Sequence, residues 1–349
     1  MNTRNNTAAP MLETMPPEAQ LMQLVGGSFI SQATYVAAKL GLADLMKEKP
    51  QTIEELAKET ETHERSLYRV LRTLASVGAF REVEPKVFAN TPVSETIRTD
   101  VPGSLRDMAI WMGEEPHWRV YGEMLHSVKT GKVAWEQVHG TEVFPYLFEQ
   151  NRELGEIFNR AMTSFSHVTI PAILEAYDFS GAKTVADIAG GYGHLLAAVL
   201  RKNQHLKGVL FDMPIVLEGA PALLEKEAVS ERVEIVAGDF FTEIPVKADV
   251  YLLKHIIHDW DDERSVKILQ NIAATMNEGG KALILETVIS AGNEPHFGKI
   301  LDLEMMVSPG GIERTEEEYS EILAQSGLKL SRIIPTKSPL SIVEAIRAV

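Results

Sequence analysis

Not one of the 349 residues is a cysteine, which removes disulfides, cysteine-ligated zinc, iron–sulfur clusters and a thiol nucleophile together. Long apolar runs are missing as well: no stretch approaches the roughly 18 uninterrupted apolar residues that read as a membrane-spanning helix. Positive charge is scarce, 34 Lys and Arg against 49 Asp and Glu for a net of −15. That balance argues against sequence-independent binding to a phosphate backbone or to an anionic membrane. The opening residues, MNTRNNTAAPMLETMPPEAQ, lack the apolar core of a secretion signal, so a cytoplasmic location is expected, with neither nucleic acid nor membrane as partner. What is present, 45% hydrophobic and 24% charged residues, is ordinary globular composition with a core large enough to need no covalent or metal staple.

The pattern changes twice along the chain. Residues 1 to about 16 are polar and read as a loose arm. From Gln20 to Leu40 apolar residues recur at helical spacing, Leu21, Leu24, Val25 and Phe29, then Val36 and Leu40. A capping box follows in TIEELAKET, Thr52 with Glu55 three residues on. The helical ERSLYRVLRTLASVGAF comes next, then the alternating FREVEPKVFANTP, which reads as a short hairpin. Helix, helix, hairpin is a winged helix-turn-helix. Arg65, Arg69 and Arg72 align on one side of its second helix, as on a DNA reader, yet residues 51–100 hold seven basic and nine acidic side chains and so no basic footprint. Leu67, Val70, Leu71 and Leu74 form the opposite, buried face, and the unit over 1–100 is expected to serve dimerisation. Residues 101–177 are helical and rich in aromatics and methionine, among them Trp111, Trp118, Tyr121, Trp135, Phe144, Phe158, Met162 and Phe165. Most such residues are core, and some can line a pocket for a flat apolar ligand.

From Ala182 onward, over a domain placed at 178–349, apolar strands alternate with amphipathic helices: TVADIAG, GVLFDMP, VEIVAGDF, DVYLLKHI and GGKALILETV, then two closing strands near 328–336 and 340–347. This predicts an α/β fold with a doubly wound, mostly parallel, seven-stranded sheet, one closing strand being antiparallel at the edge. Ligands bind such sheets outside the carboxyl ends of the strands. The first strand ends in Asp187 and the glycines Gly190, Gly191 and Gly193, which permit a tight turn and close backbone approach. The third glycine of a dinucleotide fingerprint is absent, Leu196 standing in its place, which speaks against a NAD(P)-dependent reductase. The second strand ends in Asp212, placed to accept from ribose hydroxyls, and the third in Gly238-Asp239-Phe240, where the acid can take an adenine amino group and the ring can stack. Each aspartate alone is equally well a helix cap or turn residue; all three at strand ends favour a nucleoside site.

The stretches FNRAM at 158–162, DIAGGYG at 187–193, GDFF at 238–241, LKHIIHDWDDE at 253–263 and GGIERTEEEY at 310–319 resemble, in order and spacing, the S-adenosylmethionine-dependent small-molecule O-methyltransferases of the plant caffeate, bacterial polyketide and hydroxyindole type. The resemblance covers nearly the whole chain. It implies a Rossmann-like catalytic domain behind a winged-helix-like dimerisation domain that does not read DNA, a homodimer, and S-adenosyl-L-methionine as cofactor with S-adenosyl-L-homocysteine as product. It also implies that Gly190, Gly191 and Gly193 pass beneath the cofactor's methionine end, that Asp212 holds the ribose and Asp239 with Phe240 the adenine, and that Lys254 borders the cofactor; Asp187 and Met213 complete that set. His258 matches the general base, bracketed by Glu286 and Glu313. Met162, Met305 and Met306 match the clamp on an aromatic acceptor, with Phe165 and Trp260 counted in the same pocket. His255 is a departure, since plant members often carry an aromatic residue there.

The chemistry agrees with that implication. A phenol of pKa about 10 is protonated at neutral pH, so a histidine base helps, and a carboxylate on its second ring nitrogen, the role given to Glu313, fixes the tautomer. Glu286, at the end of the fifth strand, is expected to be a second such acid. No metal is required. Were residues 250–256 a strand, His255 and His258 would diverge rather than chelate, and the acids from Asp259 to Glu263 would serve the positive end of the helix starting near Asp262. A winged-helix regulator, or the same cofactor site methylating nitrogen or doing non-methylating chemistry, are the competing readings.

Overall fold

A computed structural model describes Met15 to Ala348; the arm expected over residues 1–16 lies, apart from its last two residues, outside the described residues. These fall into two compact units, one reaching to Trp118 and including Ile157–Ser164, the other comprising Arg119–Glu156 and Phe165 onward. The region 101–177 is therefore divided between them.

In the first unit a helix over Pro17–Lys39 precedes a short helix Leu42–Leu45, a strand β1 (Gln51–Thr52), helices Ile53–Glu59 and Glu64–Ser76, and the hairpin β2 (Phe80–Glu84) with β3 (Val87–Asn90). The three strands pair antiparallel in the order β1-β3-β2. Thr52 accepts from the Glu55 amide while Glu55 accepts from the Thr52 amide at 2.8 Å, so two amide donors at the helix start are satisfied reciprocally. Leu67, Leu71 and Leu74 are buried, Val70 is half-buried, and Arg65, Arg69 and Arg72 are exposed. The Pro17–Lys39 helix behaves differently from its pattern. Ala33, Ala37 and Ala38 are its buried residues, while Leu24 and Phe29 of the apolar stripe are 73% and 74% exposed.

The second unit is built on a seven-stranded sheet of β4 (Thr184–Ile188), β5 (Lys207–Asp212), β6 (Val233–Ala237), β7 (Val250–Lys254), β8 (Lys281–Glu286), β9 (Leu328–Pro335) and β10 (Ser341–Arg347). Their order is β6-β5-β4-β7-β8-β10-β9. Residues of alternate parity on the strands enter two separate cores. Val185, Leu210, Leu252, Leu283 and Ile342 pack with the helix His194–Lys202, and Ala186, Phe211, Leu253, Ile284 and Val343 pack with helices Asp262–Thr275 and Glu316–Gln325. Burial on both faces is why these strands read as near-continuous apolar runs. One expectation fails: the antiparallel strand is not at the edge. β10 pairs antiparallel with β8 and with β9, so the closing hairpin inserts its second, more buried strand and leaves β9 outermost. Among the described residues no helix is long and apolar enough to cross a membrane.

The order reverses between β4 and β7. β5 and β6 are added on one side and β7 and β8 on the other, all parallel, and the crevice at such a switch point lies over the carboxyl ends of the central strands.

Candidate active site

Beyond β4 the chain turns at Ala189, a non-glycine residue at φ +53, and again at Gly191 (φ +61) and Gly193 (φ +87) before the helix His194–Lys202 begins. A Cβ at Gly190 would press on the Asp187 carboxyl group and Leu210, whereas Gly191 faces open space. Asp187 is buried and accepts from the Leu196 amide at 3.3 Å; burial pushes its pKa up to about 7 against the opposing charge of Lys254. Asp212, at the end of β5, accepts from Gly191 at 2.8 Å and from Met213 at 2.7 Å. Burial raises its pKa, and those two hydrogen bonds work against the rise. Lys254 ends β7 with its pKa lowered by burial to about 8, the charges of Asp187 and Glu286 resisting. Asp239 is exposed and engaged with its own turn, accepting from the Phe241 amide at 2.8 Å and the Thr242 hydroxyl at 3.2 Å. Phe240 is half-buried against Phe241 and Trp260, ring centroids 4.7 and 6.0 Å apart; Met213 is exposed.

A tight turn with no room for a side chain at Gly190, carboxylates ending β4 and β5, and an aromatic ring after β6 all lie at the carboxyl ends of strands flanking the switch point. That donor and acceptor set fits an adenosine-bearing cofactor with a flexible amino-acid arm.

The second half of the site is the turn after β7. The strand expected to continue to residue 256 stops at Lys254, because His255 adopts φ +57. A single 3₁₀ turn, Ile257–Asp259, follows, and the helix Asp262–Thr275 starts where Asp261 accepts from Arg264 at 2.8 Å. The two histidines therefore do not diverge: their ring centroids are 4.9 Å apart, and Phe165 lies 5.4 Å from His255. The alternation of a strand ends with the strand, and one left-handed residue re-aims everything after it. Burial, together with the charges of Lys254 and His258, holds the His255 pKa well below the usual imidazole range.

Glu286 does not bracket the imidazole. Its Oε1 accepts from the amides of Ile256, Ile257 and His258 at 3.0, 2.7 and 3.2 Å, and its Oε2 accepts from the Tyr319 hydroxyl at 2.6 Å. It sits at the end of β8 beside β7, where β7's ladder stops and leaves three amides that a buried carboxylate can satisfy. Glu313 reaches the ring instead: its Oε1 is 2.6 Å from His258 Nδ1, and the Ile312 amide donates to the His258 carbonyl at 2.9 Å. Asp259 Oδ1 stands 3.5 Å from Nε2. Burial disfavours the imidazolium, but Asp259, Glu313 and Glu286 outweigh it and push the His258 pKa up to about 10. Burial also pushes Asp259 up to about 7, with His258 resisting.

Of the acceptor candidates, Met305 is buried, its carbonyl accepting from Gly310 and Gly311 at 2.8 and 3.1 Å, and Met306 and Phe165 are half-buried. Trp260 packs on Phe241 at 4.8 Å and stands 6.0 and 6.1 Å from Phe240 and Phe144. Met162 is half-buried in the first unit. Two residues outside all these sets shape the turn: Gly311, where a Cβ would overlap the His258 carbonyl, and the fully buried Arg314.

The chain is similar to known proteins over most of its length. An O-methyltransferase domain model matches residues 121–329, and an O-methyltransferase dimerisation domain model matches residues 22–100. A phenazine O-methyltransferase of Lysobacter antibioticus is 45% identical, the match covering 98% of this chain and 99% of that one. An 8-amino-8-demethylriboflavin N,N-dimethyltransferase of Streptomyces davaonensis is 34% identical over 89% of this chain and 90% of its own. The SAH-bound crystal structure of a methyltransferase from calicheamicin biosynthesis superposes with a TM-score of 0.85 at 32% identity, covering 96% of this chain and all of that one. The chain belongs to the O-methyltransferase family: it is an S-adenosylmethionine-dependent methyltransferase of the secondary-metabolite type, carrying that family's dimerisation domain ahead of its catalytic one.

Proposed function

We propose that the enzyme methylates a hydroxyl group of an aromatic small molecule, with His258 as general base. The observation that carries this reading is the buried His258 Nδ1···Glu313 Oε1 contact of 2.6 Å. A carboxylate at Nδ1 fixes the tautomer that leaves Nε2 to take a proton and stabilises the imidazolium that results. S-adenosylmethionine, when bound, supplies an activated methyl group on a good leaving group. The residues that would hold it are the 187–193 loop, Asp212, Asp239, Phe240 and Lys254. What remains for the protein is to orient the acceptor and draw off its proton, a contribution typically of about 10²–10⁴-fold. Glu286 acts by holding the backbone of the turn that aims the base, and Met305, Met306 and Phe165 are the proposed apolar lining for the acceptor ring. The identical 45% shared with a phenazine O-methyltransferase supports a polycyclic aromatic acceptor.

Nitrogen is the second reading, favoured by the similarity to the N,N-dimethyltransferase. An amine offers its lone pair without a base, so the two readings separate at His258. Incubating His258→Gln with labelled cofactor and matched phenol and aniline acceptors should show turnover of the phenol reduced about 10²–10⁴-fold. Full phenol turnover in the variant would exclude His258 as the base. The exposed apolar stripe of the Pro17–Lys39 helix and the match to a dimerisation domain support a homodimer.

A further inference from the structure

Arg314 has no part in the cofactor or acceptor sets, yet its guanidinium is fully buried and every one of its nitrogens is engaged. Nη1 donates to the carbonyls of Ile257 (3.2 Å) and Ile312 (3.3 Å). Nη2 donates to the Trp260 carbonyl (3.0 Å), Asp262 Oδ1 (2.8 Å) and Ser265 Oγ (3.2 Å), and Nε to Asp262 Oδ1 (3.1 Å). Burying a guanidinium is unfavourable unless its surroundings are complementary, and an apolar side chain often fills such a space with equal stability. Its one carboxylate partner, Asp262, is itself largely exposed. Geometry, more than ion pairing, is what the charge accomplishes here.

The carbonyls it gathers belong to two segments. Ile257 and Trp260 stand on either side of His258 and Asp259; Ile312 immediately precedes Glu313. We infer that Arg314 is a positioning residue: by tying the 257–260 turn to the 312–314 segment, it holds Glu313 against His258 Nδ1. The Ile312 amide on the His258 carbonyl at 2.9 Å is a second tie between the same segments, on the far side of the base. Lysine cannot substitute, since one ammonium cannot span carbonyls in three directions. The titratable groups facing His258 are Glu313 at Nδ1, Asp259 near Nε2, Glu286 beneath its amide and His255 beside its ring; of these, Arg314 governs the placement of Glu313.

This inference rests on His258 being the base, and its test separates the two. In Arg314→Lys the maximal rate should fall about 10–100-fold, as for a small misplacement of a catalytic group, with cofactor KM unchanged. The acid limb of the pH–rate profile should move to lower pH, because the imidazole loses the carboxylate that raises its proton affinity. The downfield proton resonance of the Nδ1 hydrogen bond should weaken in the same variant, whatever the rate. Asp262→Asn, which loosens the guanidinium without removing it, should shift the limb less in the same direction, and it serves where Arg314→Lys does not fold. A limb and resonance unchanged in both variants, while Glu313→Gln moves the limb, would overturn the clamp. If even Glu313→Gln leaves the limb in place, the base assignment fails and the clamp's catalytic role falls with it.

Discussion

The loop after β4 and the turn after β7 end neighbouring parallel strands, and each starts on a non-glycine residue in the left-handed region, Ala189 at φ +53 and His255 at φ +57. From that shared beginning they are built in opposite ways. The first is backbone and glycine, with Gly191 and Gly193 at positive φ and only light side-chain support, chiefly Asp212 on the Gly191 amide. The second contains no glycine, and its polar backbone groups are taken up by buried side chains from elsewhere: three amides by Glu286, two carbonyls by Arg314. A loop that cradles a ligand must keep its amides accessible and its surface free of side chains. A turn that aims one side chain must consume its polar groups internally, since each one satisfied removes a way for the chain to move.

That contrast predicts different failures on the two sides. The largest effect is expected at Gly311, whose missing side chain allows the 310–313 segment to lie against the His258 carbonyl. Gly311→Ala should destabilise the protein by about 3 kcal/mol, the upper end for an overpacked site, and abolish methyl transfer; thermal unfolding together with an activity assay reads both, and a stable, active variant would contradict the close approach. On the loop side the damage should fall on binding alone. Asp212→Asn keeps the shape but sets an amide donor against backbone N–H groups, so calorimetry should find cofactor affinity lowered about 10–100-fold, the range for a charged hydrogen bond. The rate at saturating cofactor should hold, and a fall in that rate at unchanged affinity would place Asp212 on the wrong side of the comparison. The smallest effect is relief of strain. Ala189→Gly removes a left-handed alanine worth about 1 kcal/mol, partly offset by the freer unfolded chain, and should raise the unfolding midpoint slightly; a lowered midpoint would mean the alanine methyl is packed rather than strained.

How much of this was readable beforehand follows the same division. Strand-end acids and glycines are local signals, so Asp187, Asp212 and the 190–193 turn stood out from residue type and position. The capping box of Thr52 with Glu55 was legible for the same reason. The turn after β7 was not, because what shapes it is remote in sequence. That Glu286 meets the backbone of residues 256–258 depends on β8 lying beside β7, which no periodicity states. That His255 turns toward His258 depends on a single backbone torsion. The insertion of β10 between β8 and β9 reversed an edge that the order of the chain suggested. Arg314 carried no signal, being one charged residue in a stretch of acids; a buried role emerges only when carbonyls from residues 257, 260 and 312 converge on it. The apolar stripe at Leu21, Leu24, Val25 and Phe29 was visible as a helix, whereas its exposure in the single chain was not.

The central claim is that Glu313 sets the proton affinity of a catalytic His258, and a pH–rate profile tests it most directly. With kcat/KM measured on one phenolic acceptor, wild-type activity should rise with pH through an acid limb above the ordinary imidazole value of about 6.5, consistent with the pKa raised to about 10 by Asp259, Glu313 and Glu286 against burial. Glu313→Gln should lower the maximum and move that limb toward lower pH, because a neutral amide no longer favours the imidazolium. The acceptor's own ionisation is common to both proteins and cancels in the comparison. An acid limb at the same pH in wild type and Glu313→Gln would contradict the account.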